Sequence, residues 1–127
     1  MTTSPRVVLI VDDDAQVREA LRDALEDEGY TVASANGGGE ALSLLRTGCR
    51  PGVILLDWNM QPMNGAQFMS ELKNEPELAS IAVVLVTADL HADAKMQAAP
   101  FQGLVRKPVD LDELFAYVSR YTSSPPP

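Results

Sequence analysis

The chain has 127 residues, and its 18 Asp and Glu residues against 10 Lys and Arg residues give a formal net charge of -8. Hydrophobic residues make up 46% and charged residues 22%, the balance of one folded domain rather than of a disordered chain. The negative charge argues against direct binding to a nucleic-acid backbone, and the longest apolar run, residues 81–86, is far shorter than the roughly 20 residues that span a membrane.

Five short segments rich in Val, Ile and Leu are predicted to be strands: residues 7–11, 30–33, 52–56, 81–86 and 103–105. All but the second are nearly continuous apolar runs, which are typical of parallel strands covered on both faces, although a buried helix is not excluded by short runs alone. The strand starts are 23, 22, 29 and 22 residues apart, each about the length of a strand and a crossover helix. The pattern predicts an α/β fold, a doubly wound (βα)5 domain with a five-stranded parallel sheet.

Helical spacing of apolar residues separates the predicted strands. After the first strand it runs through Val17, Ala20, Leu21, Ala24 and Leu25. Asp14 is placed to cap the start of this helix, and Gly29 to end it. The same stripe recurs later, through Leu42 and Leu45, Phe68 and Leu72, and Leu111, Leu114, Phe115 and Val118. Residues 89–99 are Ala-rich and weakly patterned, so a fourth helix there has the least support.

Two segments are predicted to lie outside helices and strands. Gly37, Gly38 and Gly39 lack the Lys-Ser/Thr pair of a phosphate-binding P-loop, and we interpret them as the loop before the second helix. Residues 123–127, Ser-Ser-Pro-Pro-Pro, cannot continue a helix. We therefore expect a domain over residues 1–122, followed by a flexible tail or the stub of a linker.

Polar side chains follow four of the five predicted strands. Asp12 and Asp13 follow the first, Asp57 the third, Thr87 the fourth and Lys107 the fifth. Parallel α/β sheets bind ligands beyond the carboxyl ends of their strands. If the strands are parallel, three carboxylates, a hydroxyl and an ammonium group converge on one crevice.

Such a crevice favours a divalent cation and a phosphoryl group. Each pair of carboxylates about 4 Å apart repels by about 4 kcal/mol at an effective dielectric constant near 20, and a single Lys cannot neutralise three of them. Ligands that are all oxygen indicate Mg²⁺. Thr87 and Lys107 would then donate hydrogen bonds to phosphate oxygens, and one carboxylate is a candidate nucleophile that forms an aspartyl phosphate.

Four motifs in order resemble the signature of bacterial response-regulator receiver domains: Val-Asp-Asp-Asp at 11–14, Leu-Leu-Asp-Trp-Asn-Met at 55–60, Val-Thr-Ala at 86–88 and Arg-Lys-Pro at 106–108. The resemblance covers residues 6–121. It implies the flavodoxin-like, CheY-like fold, in which the strand order is 2-1-3-4-5.

The resemblance also implies roles for individual residues. Asp57 would be the phosphoacceptor, Lys107 would pair with the phosphoryl group, and Thr87 would reorient to hydrogen-bond it. Mg²⁺ would be held by Asp12, Asp13, Asp57 and the backbone carbonyl of Asn59. The phosphoryl donor would be a sensor histidine kinase or a histidine phosphotransfer protein.

Two departures from the family pattern bear on signalling. Pro62 stands one place later than the usual proline of the loop after Asp57, which puts the turn geometry in question. Leu104 stands three residues before Lys107, where the family has a Tyr or Phe that moves with the threonine. Signal transmission is therefore expected to be weaker, different or carried by another residue, and for the nearby Phe101 we favour core packing. A cis peptide is expected before Pro108.

Two alternatives stay open beside a non-enzymatic phosphorylatable module. Leu104 supports an interaction module that works without phosphorylation. The Asp-x-Asp at residues 12–14 is also used by Mg²⁺-dependent phosphohydrolases with an aspartyl nucleophile, although this chain has Gln16 where that family has Thr or Val. We expect a cytoplasmic protein, because the lone Cys49 forms no internal disulfide. For the receiver module we also expect a monomer or weak dimer with an unknown downstream target protein.

Overall fold

The computed structural model describes residues 7–88 and 101–122. The strands are β1 (Val7–Val11), β2 (Thr31–Ala35), β3 (Val53–Leu56), β4 (Ala82–Thr87) and β5 (Gly103–Arg106). The helices are α1 (Ala15–Asp27), α2 (Gly38–Arg46), α3 (Gly65–Lys73) and α4 (Leu111–Thr122). The predicted helix at 89–99 and the predicted tail at 123–127 lie outside the described residues. Within the described part, no helix is long and apolar enough to cross a bilayer.

The five strands form one parallel sheet in the order β2-β1-β3-β4-β5. Both the α/β fold class and the strand order implied by the resemblance are confirmed. Every residue of β3 and β4 is buried, as are the last four residues of β1. Burial on both faces explains the continuous apolar runs, since no residue of these strands is left to face water.

The sheet separates two hydrophobic cores, and alternate residues of β1 and β3 contribute to opposite cores. Leu9 and Ile54 join the core under α2 and α3, which includes Leu42, Leu45, Phe68 and Leu72. Val8 and Val53 join the other core, under α1 and α4, which includes Leu21, Leu25, Leu114 and Val118. The helical stripes read from the sequence therefore face the sheet as predicted, apart from Leu111, described below, and Ala20, which is exposed on α1.

Side chains fix the start of two helices. The Asp14 carboxylate accepts hydrogen bonds from the N–H groups of Gln16, at 2.9 Å, and Val17, at 3.3 Å, and so caps α1 as predicted. Gly29 has a φ of 95°, a left-handed conformation that glycine adopts readily just after a helix. Asn64 and Gln67 form a reciprocal capping box at the start of α3.

Three local expectations were wrong. Tyr30 is not in β2, because its N–H donates to the Leu25 carbonyl in the turn that ends α1. Gly38 and Gly39 lie in the first turn of α2 rather than in a loop, and a Cβ on Gly38 would stand 2.5 Å from the sulfur of Met63. Leu111 is 44% exposed, because it is the first residue of α4 and lies before the part of the helix that is covered. The helical period in the sequence does not indicate where that covered part begins.

Gly65 supports a stability prediction. A Cβ at this position would lie 2.8 Å from the Trp58 ring and 3.0 Å from the Trp58 Cα, so Gly65→Ala forces backbone to move. We expect a loss of about 1–3 kcal/mol in the free energy of unfolding, measured by urea denaturation. Gly39→Ala is the matched control, because a Cβ there meets nothing within 4 Å and should stabilise α2 by about 0.5–1 kcal/mol. Equal effects of the two substitutions would contradict the packing argument.

Candidate functional site

The carboxyl ends of the strands bring the predicted polar residues to one edge of the sheet. Asp12 follows β1, Asp57 follows the neighbouring β3, and the Asp57 N–H donates to the Val11 carbonyl at 3.0 Å. Thr87 ends β4, and its carbonyl accepts from the N–H of Lys107, just after β5, also at 3.0 Å. These two bonds extend the backbone hydrogen bonding of the sheet by one residue. The side chains of Asp12, Asp57, Thr87 and Lys107 therefore project from neighbouring backbone positions at this edge.

Three carboxylates meet at this edge. One carboxylate oxygen from each of Asp12, Asp13 and Asp57 lies within 4.8 Å of the other two. Asp12 is 3% exposed and Asp57 8% exposed, whereas Asp13 is exposed to solvent. A compact set of oxygen ligands with one open side suits a hard divalent cation such as Mg²⁺, which keeps some of its water ligands.

Lys107 supplies one positive charge to the cluster. Its Nζ lies 2.9 Å from Asp12 Oδ2 and 3.7 Å from Asp57 Oδ2. With all three carboxylates ionised, one ammonium group leaves an excess of two negative charges in a partly buried space. This excess of negative charge favours the binding of a divalent cation, because unbalanced charge is costly away from water.

Burial raises the pKa of the Asp57 carboxyl above its ordinary value. The Lys107 ammonium group opposes this rise, and the Asp12 carboxylate adds to it. Hydrogen bonds from the Asn59 backbone and the Thr87 hydroxyl also favour the charged form of Asp57, but they do not overcome burial. Ionisation of Asp57 is therefore less favourable in the folded protein than in the unfolded chain.

A pH dependence of stability follows from the raised pKa of Asp57. The stabilising contribution of the protonated carboxyl is complete below about pH 4, near the unfolded pKa, and is lost as the pH rises through the folded pKa. Without divalent cations, Asp57→Asn should therefore raise the urea midpoint at pH 7, and this gain should vanish towards pH 4. The exposed Asp23→Asn is the control. A gain that is independent of pH would contradict the assignment.

Arg18, on α1, contacts the site but was not predicted from the sequence. Its Nη1 donates a hydrogen bond of 2.7 Å to the backbone carbonyl of Asp12. Arginines on a helix are ordinary surface residues, so nothing in the sequence distinguished Arg18 from Arg22. Only the packing of α1 beside the end of β1 reveals the contact.

The remaining predicted residues flank the acidic cluster. The backbone N–H of Asn59 bonds to Asp57, and the role of the Asn59 carbonyl as a metal ligand stays a prediction. Leu104 is half-buried in β5, in register with Leu85 of β4. The peptide between Lys107 and Pro108 is cis, as the resemblance implied, and so is the peptide between Gln61 and Pro62.

Trp58, next to Asp57, is half-buried and makes an edge-to-face contact with Phe101. The ring centroids are 5.6 Å apart and the ring planes are inclined at 72°. Phe101 also packs against the core under α2 and α3, as expected from the sequence. Trp58 therefore lies between the acidic cluster and the segment that enters β5.

Comparison with known proteins decides the family. The family model described as "Response regulator receiver domain" matches residues 8–119, most of the chain. The chain belongs to the response-regulator receiver domain family. Receiver domains are modules of two-component signalling and in general are not enzymes themselves, which favours signalling over the phosphohydrolase alternative.

Relatives of this receiver domain include both small proteins and parts of longer regulators. It is 34% identical over 122 residues to an uncharacterised 14.6 kDa protein of Leptolyngbya boryana, covering 94% of this chain and 92% of that protein. It is 34% identical over 104 residues to the chemotaxis protein CheY of Pseudomonas aeruginosa, covering 80% and 83%. It is 30% identical to the DNA-binding transcriptional regulator NtrC of Salmonella typhimurium over 92% of this chain, but over only 25% of NtrC.

Solved structures agree with the fold. A response regulator receiver protein from Pseudomonas putida superposes with a TM-score of 0.85 at 30% identity, covering 94% of this chain and 99% of that one. The response regulator protein TrrA from Thermotoga maritima, solved in complex with Mg²⁺-BeF, gives a TM-score of 0.77 at 30% identity and covers 91% and 97%.

Proposed function

We propose that this receiver domain accepts a phosphoryl group on Asp57 from a sensor histidine kinase or a histidine phosphotransfer protein, in a step that requires Mg²⁺. The observation that carries the proposal is the convergence of Asp57 with Asp12, Asp13 and Lys107. The proposed module spans residues 1–122 and acts in the cytoplasm as a monomer or weak dimer.

The transfer needs one nucleophile and a means of balancing charge. A carboxylate oxygen of Asp57 attacks the phosphorus atom, a new P–O bond forms, and the P–N bond of the phosphohistidine breaks with its electron pair leaving on the donor nitrogen. Lys107 stands 3.7 Å from Asp57 Oδ2, where its ammonium group can pair with the transferred oxygens. The Thr87 hydroxyl, already bonded to Asp57, can move to the phosphoryl group after transfer.

Mg²⁺ would be held by Asp12, Asp13, Asp57 and the Asn59 carbonyl. When bound, the ion would offset the repulsion between the carboxylates and the incoming phosphoryl oxygens. The excess of negative charge in the acidic cluster supports this assignment. The complex of the related TrrA with Mg²⁺-BeF supports the same site by similarity.

Phosphorylation would shift a population between two conformers by creating new contacts to the phosphoryl group. The surface that changes would include β5 and α4, and the partner would be a downstream protein rather than a nucleic acid. With Leu104 in place of an aromatic switch, transmission of the change would be weaker, different or carried by another residue.

The test is phosphorylation by a small donor, followed by intact mass spectrometry. With acetyl phosphate and Mg²⁺, the protein should gain the mass of one phosphoryl group, and with EDTA in place of Mg²⁺ it should gain none. No adduct with Mg²⁺ present would overturn phosphoryl acceptance. An adduct formed equally well in EDTA would overturn the metal requirement.

A second candidate function is an interaction module that works without phosphorylation, and Leu104 is the observation that favours it. Trp58 separates the two candidates, because its position beside Asp57 makes its fluorescence sensitive to the site. Quenching of Trp58 by millimolar Mg²⁺ supports the phosphorylatable module. A flat titration together with no adduct from acetyl phosphate supports the inert module.

A further inference from the structure

The hydrogen bond from Arg18 acts on the peptide that joins the two neighbouring acidic residues. Arg18 Nη1 lies 2.7 Å from the carbonyl oxygen of Asp12, in a partly buried position. That carbonyl shares a planar peptide unit with the nitrogen of Asp13. Holding the carbonyl therefore fixes the orientation of the plane from which Asp13 extends.

The position of Asp12 depends less on the hydrogen bond from Arg18, because Asp12 makes other hydrogen bonds. Its carboxylate accepts from the Asp14 N–H and from Lys107 Nζ, each at 2.9 Å. Its N–H donates to the Ala35 carbonyl at 3.2 Å. Asp13 lies on the exposed side of the acidic cluster, so its placement relies on the backbone that carries it.

We infer that Arg18 is a positioning residue that holds Asp13 in place for cation binding. The inference rests on the proposed function, because it concerns Mg²⁺ at the acidic cluster. A hydrogen bond from a charged donor is among the stronger ones in proteins, and groups that orient metal ligands typically change metal affinity by about 10- to 100-fold when removed.

Charge alone predicts the opposite result. A guanidinium group near the acidic cluster repels a cation, so removing its charge should tighten Mg²⁺ binding. If Arg18 positions Asp13, removing it should weaken Mg²⁺ binding although a positive charge has been lost. The sign of the change therefore separates positioning from simple electrostatics.

The experiment is calorimetric titration of the intact protein with Mg²⁺. We expect the affinity to fall about 10-fold in Arg18→Met and to recover partly in Arg18→Lys, which keeps a donor. Arg22→Met is the matched control, because Arg22 lies one turn further along α1 and bonds to the Val32 carbonyl at 3.2 Å and to Ser34 Oγ at 3.3 Å. The Arg22→Met variant loses the same charge and a similar hydrogen bond, but the hydrogen bond to the Asp12 carbonyl is kept. Its affinity for Mg²⁺ should therefore stay at the wild-type value or rise slightly.

A double substitution tests whether Arg18 acts through Asp13. In the Asp13→Asn background, titrated to higher Mg²⁺ concentration and followed by Trp58 fluorescence, Arg18→Met should have little further effect. Circular dichroism during thermal unfolding checks that Arg18→Met and Arg22→Met are both folded.

The outcomes distinguish this inference from the proposed function. An affinity in Arg18→Met that is unchanged, or tighter than wild type, overturns the inference alone, and so does a full 10-fold loss in the Asp13→Asn background. A wild-type protein that does not bind Mg²⁺ overturns the proposed function and this inference with it.

Discussion

Replacing Asp57 with Asn is expected to abolish phosphorylation by acetyl phosphate, so that no adduct is detected by intact mass spectrometry in the presence of Mg²⁺. The amide has the size of the carboxyl but lacks the anionic oxygen that attacks phosphorus. Asp57 is also the carboxylate that contacts Lys107 and Thr87 together, so a neighbouring Asp cannot take its place with the same support.

Asp23→Asn is the control for this loss, because Asp23 is exposed on α1 and the substitution removes the same charge. It should be labelled at the wild-type rate. If Asp57→Asn still gains a phosphoryl group, peptide mapping identifies the true acceptor, and the assignment of Asp57 as the nucleophile would be wrong.

Replacing Asp13 with Asn is expected to weaken Mg²⁺ binding by about 100-fold, because one ionic ligand is lost at contact distance from the cation. The folded structure should be unaffected, since Asp13 is exposed and lies outside both hydrophobic cores. Calorimetric titration measures the affinity, and the thermal midpoint without Mg²⁺ checks the fold.

Asp14→Asn is the matched control, one residue along the chain. It removes the same charge, and Asn caps a helix as well as Asp does, so α1 keeps its start. Its Mg²⁺ affinity should stay within about 3-fold of wild type, the effect of a screened charge outside the acidic cluster. Equal losses in the two variants would show that overall charge, rather than ligation by Asp13, governs binding.

The fold could be predicted from the sequence because burial and secondary structure agree along most of the chain. The apolar run of β1 and the period of α1, with Asp14 before it and Gly29 after it, were sufficient to place both elements. The edge strand β2 was placed less well, because its two last residues, Ser34 and Ala35, are weak strand formers. They extend the strand only by pairing with Ile10 and Val11.

The acidic cluster could be predicted because the ends of parallel strands gather at one edge, whatever the sequence distance between them. The residues of the cluster can therefore be recognised in the sequence, because each of them follows an apolar run. Arg18 could not be predicted, because its contact is with a backbone carbonyl and depends on how α1 packs against β1. The close approach of Gly38 to Met63 could not be predicted either, because it is a tertiary contact that leaves no local pattern in the sequence.

The ion pair between Asp12 and Lys107 joins residues 95 positions apart, and Lys107 follows the strand at the edge of the sheet. The pair therefore forms only when β5 has joined the sheet. Until then, the acidic residues face one another without their ammonium partner. The charge balance of the acidic cluster is thus completed by the strand at the edge of the sheet and not by the neighbours of Asp12 in the sequence.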